Sequence, residues 1–378
     1  MQFETYPFEK LAKLLEGVEA SKEFEPIVLT IGEPQFETPG FITEALCKNS
    51  HLLRKYPKTS GEPFLREAMR GFVKRRFHIE LDDSQIIPTF GTRELLFNFP
   101  QFLLSEKDKP MMAFTNPFYQ IYEGAAIASK AKVLHLDLLK ENRFLPKIEE
   151  ESLSKCDLVI LNFPNNPTAS VMDMEALKEW VRLALKYDFV LLNDECYSEI
   201  YTHTPPPSLL QASMEADNPT FKNIVVVNSV SKRSSAPGLR SGFIAGDDRI
   251  LKEYMLYRTY VGCASPLPLQ AAAAAAWDDE EHVEFFRSKY RENFRIAEEI
   301  LGIKAPEATF YIWLEVGDEL EFTKRLYERY NVKVLPGSFL GREGVGGGFV
   351  RIALVEEAHK TVDALKRVKS CYVGIRTI

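Results

Sequence analysis

Between residues 86 and 246 the chain repeats one pattern. A short apolar run gives way to a cluster of small or polar residues, and then to apolar residues at helical spacing. Ile86–Ile87, Met111–Phe114, Leu158–Leu161, Phe189–Leu192, Asn223–Asn228 and Gly242–Gly246 read as strands. Their runs are nearly continuous in apolar residues rather than alternating, so both faces of each strand are covered. Strands of that kind, separated by helices, predict a mostly parallel α/β sheet packed on both sides. Polar clusters follow them at Gly91-Thr92-Arg93-Glu94, Asn116–Tyr119, Asn165–Thr168, Asn193–Tyr197 and Ser229–Gly242. These would gather along the carboxyl edge of the sheet, where open α/β sheets hold ligands.

The flanks have a different texture. Residues 8–20 follow Pro7 with helical periodicity, and Ile27–Ile31 reads as a strand that ends in Gly32-Glu33-Pro34. Residues 62–77 place Leu65, Met69, Phe72 and Val73 on one face of an amphipathic helix. Beyond residue 277 a long helix carries Val283, Phe286, Tyr290, Ala297 and Leu301 and stops at Gly302. Alternating strands follow at Phe310–Leu314, Val332–Leu335 and Phe349–Leu354, with a helix over 318–330. The expected organisation is a large α/β domain over 41–276. Residues 1–40 and 277–378 together would form a smaller α+β domain.

Length and composition narrow the function. At 378 residues, 45% hydrophobic and 27% charged, the chain is that of a soluble globular protein. A net charge of −7 without a basic cluster argues against nucleic acid or an anionic membrane as partner. The five cysteines are scattered with no CxxC pair, which suits reduced thiols in a cytoplasmic protein. Residues 1–7 show no basic and apolar leader, and the run Ala271–Ala276 is too short to span a bilayer. The sequence contains no GxGxxG after a strand, no GxxxxGK[ST], no HExxH and no GxSxG, and its six histidines lack ligand spacing. No metal site is therefore expected. Gly341–Gly348 is rich in glycine but precedes a strand, and reads as a mobile loop rather than a phosphate cradle.

What remains suits an aromatic, phosphorylated aldehyde. Lys232 could condense with the aldehyde. Asp194, ending an apolar strand, could hold a ring nitrogen protonated. Arg240, Ser229 and the backbone of Gly91-Thr92-Arg93 at a helix start could hold a phosphate. Each has a plainer reading alone. Ser229–Gly242 could be a solvated turn with an ordinary lysine, Asp194 a cap, Tyr119 and Tyr197 packing residues, and Asn166 a turn former before Pro167. Their order on successive strand ends favours a site.

These residues resemble the pyridoxal-phosphate aminotransferases of fold type I, class I/II, along the whole chain from Gly32-Glu33-Pro34 to the strand with Arg351. The match of Ser229-Val230-Ser231-Lys232 with an arginine eight residues later is the most specific. The stretches Gly91–Glu94, Asn116–Tyr122, Asp194–Glu199 and Ser231–Ser234 are most similar to the branch that includes N-succinyldiaminopimelate aminotransferases. The resemblance implies a mostly parallel seven-stranded sheet in the large domain, a homodimer and pyridoxal 5′-phosphate as cofactor. It also implies roles. Lys232 carries the cofactor and moves the proton; Asp194 pairs with the ring nitrogen; Asn166 and Tyr197 bond the ring oxygen; Tyr119 stacks on the ring. Gly91, Thr92, Arg93, Ser229 and Arg240 hold the phosphate, with Tyr56 reaching it from the other subunit. Arg351 clamps the substrate carboxylate near the Gly32 backbone and Asn166. The position of Arg351 inside an otherwise apolar strand supports that role independently, because burying an unpaired charge is costly.

The implied reaction is amino transfer from an amino acid, glutamate foremost, to an oxo acid. The favoured pair is N-succinyl-LL-diaminopimelate and N-succinyl-2-amino-6-oxopimelate, in lysine and peptidoglycan precursor synthesis. Aspartate, aromatic or other amino acids, or a same-fold C–S lyase reaction, are the alternatives. Two departures from the family stand out. Its Asn-Pro-Thr-Gly is Asn166-Pro167-Thr168-Ala169 here, so the turn is expected to avoid a glycine-only conformation. The distal-carboxylate arginine of the dicarboxylate branch has no counterpart near Tyr260–Ala264. Tyr6, Phe8 and Gln35 are candidates for lining the substrate pocket.

Overall fold

The computed structural model describes residues 3–376. Twelve strands follow the chain: β1 (Ile27–Val28), β2 (Ile86–Thr89), β3 (Met111–Asn116), β4 (Lys132–Asp137), β5 (Leu158–Leu161), β6 (Val190–Asp194), β7 (Ile224–Ser229), β8 (Gly242–Gly246), β9 (Tyr311–Glu315), β10 (Val332–Lys333), β11 (Leu335–Pro336) and β12 (Phe349–Ala353). Seven of them form one sheet in the order β2-β8-β7-β6-β5-β3-β4, in which β8 alone runs antiparallel to its neighbours. The mostly parallel sheet expected from the apolar runs is present.

The reason for those runs is visible in the packing. Along β7, Ile224 and Val226 enter one apolar cluster with Trp180 and Trp277, while Val225 and Val227 enter another with Phe99 and Phe114. A strand whose alternate side chains both meet helices has no polar face to offer. The edge strand β4, Lys132-Val-Leu-His-Leu-Asp137, lies outside the sequence reading for the converse reason. It pairs on one side only, through β3, and most of its residues are exposed or half-buried.

A third cluster gathers Ile27 and Leu29 with Phe294, Phe322, Leu326, Ile352 and Leu365. Here β11, β12 and β9 form an antiparallel sheet, and β1 pairs in parallel with β10. Residues 8–20 form a shorter helix than the periodicity predicts, Pro7–Leu14, packed through Leu11 and Leu15 on Leu335 and Leu340. The helices Asp248–Val261 and Ala358–Arg376 are additions to the sequence reading.

The glycine-rich loop differs from expectation. Arg342 makes a two-pronged ion pair with Glu123, its Nε donating to Oε1 at 2.7 Å, and its backbone N–H donates to Asn116 Oδ1 at 2.9 Å. Phe118 N–H reaches the Leu340 carbonyl at 3.0 Å. The loop is pinned to the start of the helix Ile121–Ala128 instead of standing free. Among the described residues no helix is long and apolar enough to cross a membrane.

Candidate active site

Strand register brings the carboxyl ends together. Leu161 lies opposite Asn193 and Asp194 opposite Val227, so Asn162, Asp194 and Ser229 end adjacent strands at one edge of the sheet. They border a cavity of about 510 Å³, closed from the other side by Tyr6, Gly32, Tyr311, Leu335 and Arg351. Thr92, Arg93, Tyr119, Asn166, Tyr197, Lys232 and Arg240 line it as well.

Lys232 sits on the single turn Val230–Arg233, whose N-cap Ser229 accepts the Ser231 N–H at 3.1 Å. Its ammonium donates to the Gly32 carbonyl and lies 5.7 Å from the Phe310 ring centroid. Burial, aided by the nearby Arg351 and Arg240 charges, brings its pKa down to about 8. Gly32 must lack a side chain, because a β-carbon there would lie 1.8 Å from the Tyr311 hydroxyl.

Asp194 is 5% exposed. Its Oδ2 accepts from the Tyr122 hydroxyl at 2.8 Å and its Oδ1 from the Cys196 N–H at 3.2 Å. Among the described residues it makes no ion pair, and burial pushes its pKa up. A polar chain runs from it across the cavity. Asn162 donates to the Asp194 carbonyl at 2.8 Å and accepts the Asn166 N–H at 3.0 Å. Asn166 Oδ1 in turn accepts from Arg351 at 2.7 Å. Arg351 also donates to the Thr30 carbonyl at 2.6 Å, lies 4.5 Å from the Tyr311 ring centroid, and keeps a buried Nε–H without a partner. The Tyr197 and Tyr311 hydroxyls are 2.9 Å apart.

The phosphate-type donors meet at the opposite corner. Arg240 Nη1 donates to the Pro237 carbonyl at 2.8 Å, and its guanidinium lies against the Gly91 turn. A β-carbon on Gly91 would come within 2.2 Å of Arg240 Nη2, and its φ of +76° favours glycine as well. Arg93 shares that turn only through its backbone. Its guanidinium goes to the Tyr119 hydroxyl at 2.7 Å and the Tyr6 hydroxyl at 2.9 Å.

One expectation, for Gln35, needs correction, and two others gain detail. Ala169 takes the left-handed well, with a φ of +60°, which glycine favours but which is not open to glycine alone. The left-handed well is open to alanine at a cost of about 1–2 kcal/mol. The turn offsets that through Ala169 N–H to the Asn165 carbonyl (3.0 Å), Asn165 N–H to the Ser170 carbonyl (2.9 Å) and Thr168 N–H to Asn165 Oδ1 (3.0 Å). Gln35 does not line the cavity and instead donates to the Glu33 carbonyl at 3.0 Å. Tyr56 is 98% exposed and lies outside the cavity of its own chain. The sequence reading assigned no role to Asn162, Tyr122 or Tyr311. Tyr122 had a signal, since it follows Tyr119 by three residues at a helix start.

Residues 25–366 match the family described as aminotransferase class I and II. The chain belongs to that family. It is 50% identical to aminotransferase AspB of Helicobacter pylori 26695, with a TM-score of 0.96 over 99% of this chain and 100% of that one. An aminotransferase of Neisseria meningitidis Z2491 is 42% identical, with a TM-score of 0.94 over 98% of each chain. Among curated proteins, the LL-diaminopimelate aminotransferase of Natranaerobius thermophilus is 30% identical over 96% of both chains. The protein is a fold type I aminotransferase, and its family uses pyridoxal 5′-phosphate. The cavity suits that cofactor: it offers a buried amine of lowered pKa, a buried carboxylate that makes no ion pair among the described residues, and guanidinium and hydroxyl donors.

Proposed function

We propose that this site transfers the amino group of glutamate to N-succinyl-2-amino-6-oxopimelate, with both substrates bound in turn over one cofactor. The observation that carries amino transfer is the placement of Lys232. Its amine is buried in the cavity between Asp194 on the sheet edge and Arg351 on β12. The acceptor rests on the motif resemblance and on the likeness to the diaminopimelate enzyme.

When bound, pyridoxal phosphate supplies an aldehyde for the amine and an electron sink for the α-carbon. Lys232 would hold the aldehyde and, once free, its Nζ would accept the proton from the substrate α-carbon and hand it on as the general acid. Its pKa near 8 suits that exchange, since a base works best when its pKa lies close to the working pH. Asp194 would pair with the ring nitrogen and keep it charged. Tyr119 would cover the ring, while Asn166 and Tyr197 would bond its oxygen. Arg240, Ser229 and the backbone at Gly91, Thr92 and Arg93 would hold the phosphate, with Tyr56 reaching that pocket from a second copy of the chain. Arg351, with Gly32 and Asn166, would take the substrate α-carboxylate. The division between a cofactor domain over 41–276 and a smaller domain from both chain ends belongs to the same reading, as does a cytoplasmic homodimer.

Two measurements test it. With glutamate as donor, a panel of oxo acids should give the highest kcat/KM for the succinylated pimelate derivative. A higher value for oxaloacetate or an aromatic oxo acid would replace that acceptor. Release of pyruvate and ammonia from a β-substituted amino acid, without any oxo acid, would replace amino transfer by lyase chemistry. Cofactor capture gives a pH test, because only the neutral amine attacks an aldehyde. The rate at which cofactor-free protein takes up pyridoxal phosphate, followed by absorbance, should rise with pH through about 8 and level off above it. A flat profile between pH 6 and pH 10 would contradict the buried, neutralised lysine.

A further inference from the structure

Glu94 and Arg258 lie outside the cavity, yet the Arg258 side chain is fully buried and the two form an ion pair at 2.9 Å. Glu94 stands on the first turn of the helix Thr92–Leu104, whose N-cap is Gly91. Gly91 has no side chain to bond the N–H groups of that turn, so they stay available to a ligand. The same lack leaves the turn without a lock of its own.

Glu94 supplies one. Its Oε1 accepts the Phe90 N–H at 3.1 Å, which folds the carboxylate back across the Gly91 turn. Behind it a ring of side chains closes. Asn98 donates to Glu94 Oε2 at 2.7 Å, and the Tyr254 hydroxyl donates to Asn98 Oδ1. Arg258 Nη1 donates to the Tyr254 oxygen at 3.3 Å and to the Glu94 carboxylate. Two helices meet in this ring through residues four apart, Glu94 with Asn98 and Tyr254 with Arg258, and residues at that spacing share a helix face. Tyr254 lies in the apolar cluster of Phe99 and Val227, so the helix Asp248–Val261 is seated on the large sheet. The ring thereby ties the Gly91 turn to the sheet that carries Lys232 and Asp194. Charge matters as well. A bare carboxylate beside an anion site would oppose the anion, and Arg258 cancels that charge.

We propose that the Glu94–Arg258 pair is a positioning device for the cofactor phosphate, holding the backbone donors of the Gly91 turn in place from behind. The inference rests on the reading that sets the phosphate at this turn. Neither residue touches the cofactor, so the effect passes through the backbone N–H groups. A hydrogen bond to a charged group is worth roughly 10- to 100-fold, and a loosened turn is expected to lose about tenfold.

The test uses cofactor-free protein, titrated by absorbance with pyridoxal phosphate and with pyridoxal, which lacks the phosphate. A general loss of structure weakens both and cancels in their ratio. The variants are R258M and the double exchange E94L/R258M, which leaves no lone charge behind and suits the tolerance of buried pairs for apolar replacement. In both, the preference for pyridoxal phosphate over pyridoxal should fall about tenfold while pyridoxal binds as in wild type. A preference within threefold of wild type in E94L/R258M overturns the proposal. Should R258M alone lose the preference, Arg258 is a counter-charge and not a positioning residue, which overturns it equally. A wild-type protein that holds pyridoxal phosphate no more tightly than pyridoxal would instead remove the phosphate from the Gly91 turn, and the underlying reading would fall first.

Discussion

Replacing Lys232 by alanine is expected to abolish turnover while leaving the chain folded. The proton-transfer role alone is worth ~10²–10⁴-fold, and the variant also loses the covalent hold on the cofactor. Nothing structural depends on the amine, whose one hydrogen bond goes to the Gly32 carbonyl. Stability should move the other way from activity. The folded-state pKa of about 8 lies below the usual 10.5, so the unfolded chain binds the proton more tightly. The resulting penalty on the cofactor-free wild type is fully present below about pH 8. It fades as pH rises and is gone above about 10.5. K232A, compared with wild type without cofactor, should therefore melt higher at pH 7, and the difference should close toward pH 10.5. Turnover within tenfold of wild type would remove Lys232 from the centre of the reaction, whereas a variant that melts lower at pH 7 would mean that the packing of its buried stem outweighs the buried charge.

The sequence carried the sheet and the chemistry better than it carried their junction. Strands β5, β6 and β7 were legible because residues such as Leu158 and Val159 are buried in opposite directions, which leaves a continuous apolar run. Strand β4 was not, because an edge strand with charged ends looks like a loop or helix boundary. Lys232, Asp194 and Arg240 could be proposed from residue type and position. Asn162 could not, since its value lies in the register that sets Leu161 beside Asn193 and lets one side chain reach the Asp194 carbonyl. Tyr311 was hidden for a similar reason, its hydroxyl meeting Tyr197 across 114 residues of chain. The Gly341–Gly348 loop shows the opposite error. Composition suggested freedom, but the single arginine in it binds Glu123 and ties the loop down.

The exchange Asp194→Asn isolates charge from shape, and a large loss of activity is expected from the charge alone. An asparagine can keep both contacts of the aspartate, its oxygen accepting the Cys196 N–H and its amide donating to the Tyr122 oxygen. Packing at the end of β6 is unchanged, and the cofactor-free variant should be at least as stable as wild type, because burial works against the carboxylate's charge. What disappears is the anion that holds the ring nitrogen protonated. Removing one partner of a buried ion pair costs about 3–5 kcal/mol, which corresponds to roughly two to nearly four orders of magnitude. A fall of that size in kcat is therefore expected, together with weaker cofactor binding, while Arg351 still takes the α-carboxylate. Measured kcat, cofactor affinity and melting temperature separate the possibilities. A kcat within tenfold of wild type would mean that the ring nitrogen does not depend on Asp194. A collapse in the stability of the cofactor-free variant would mean that the carboxylate serves the fold before it serves the reaction.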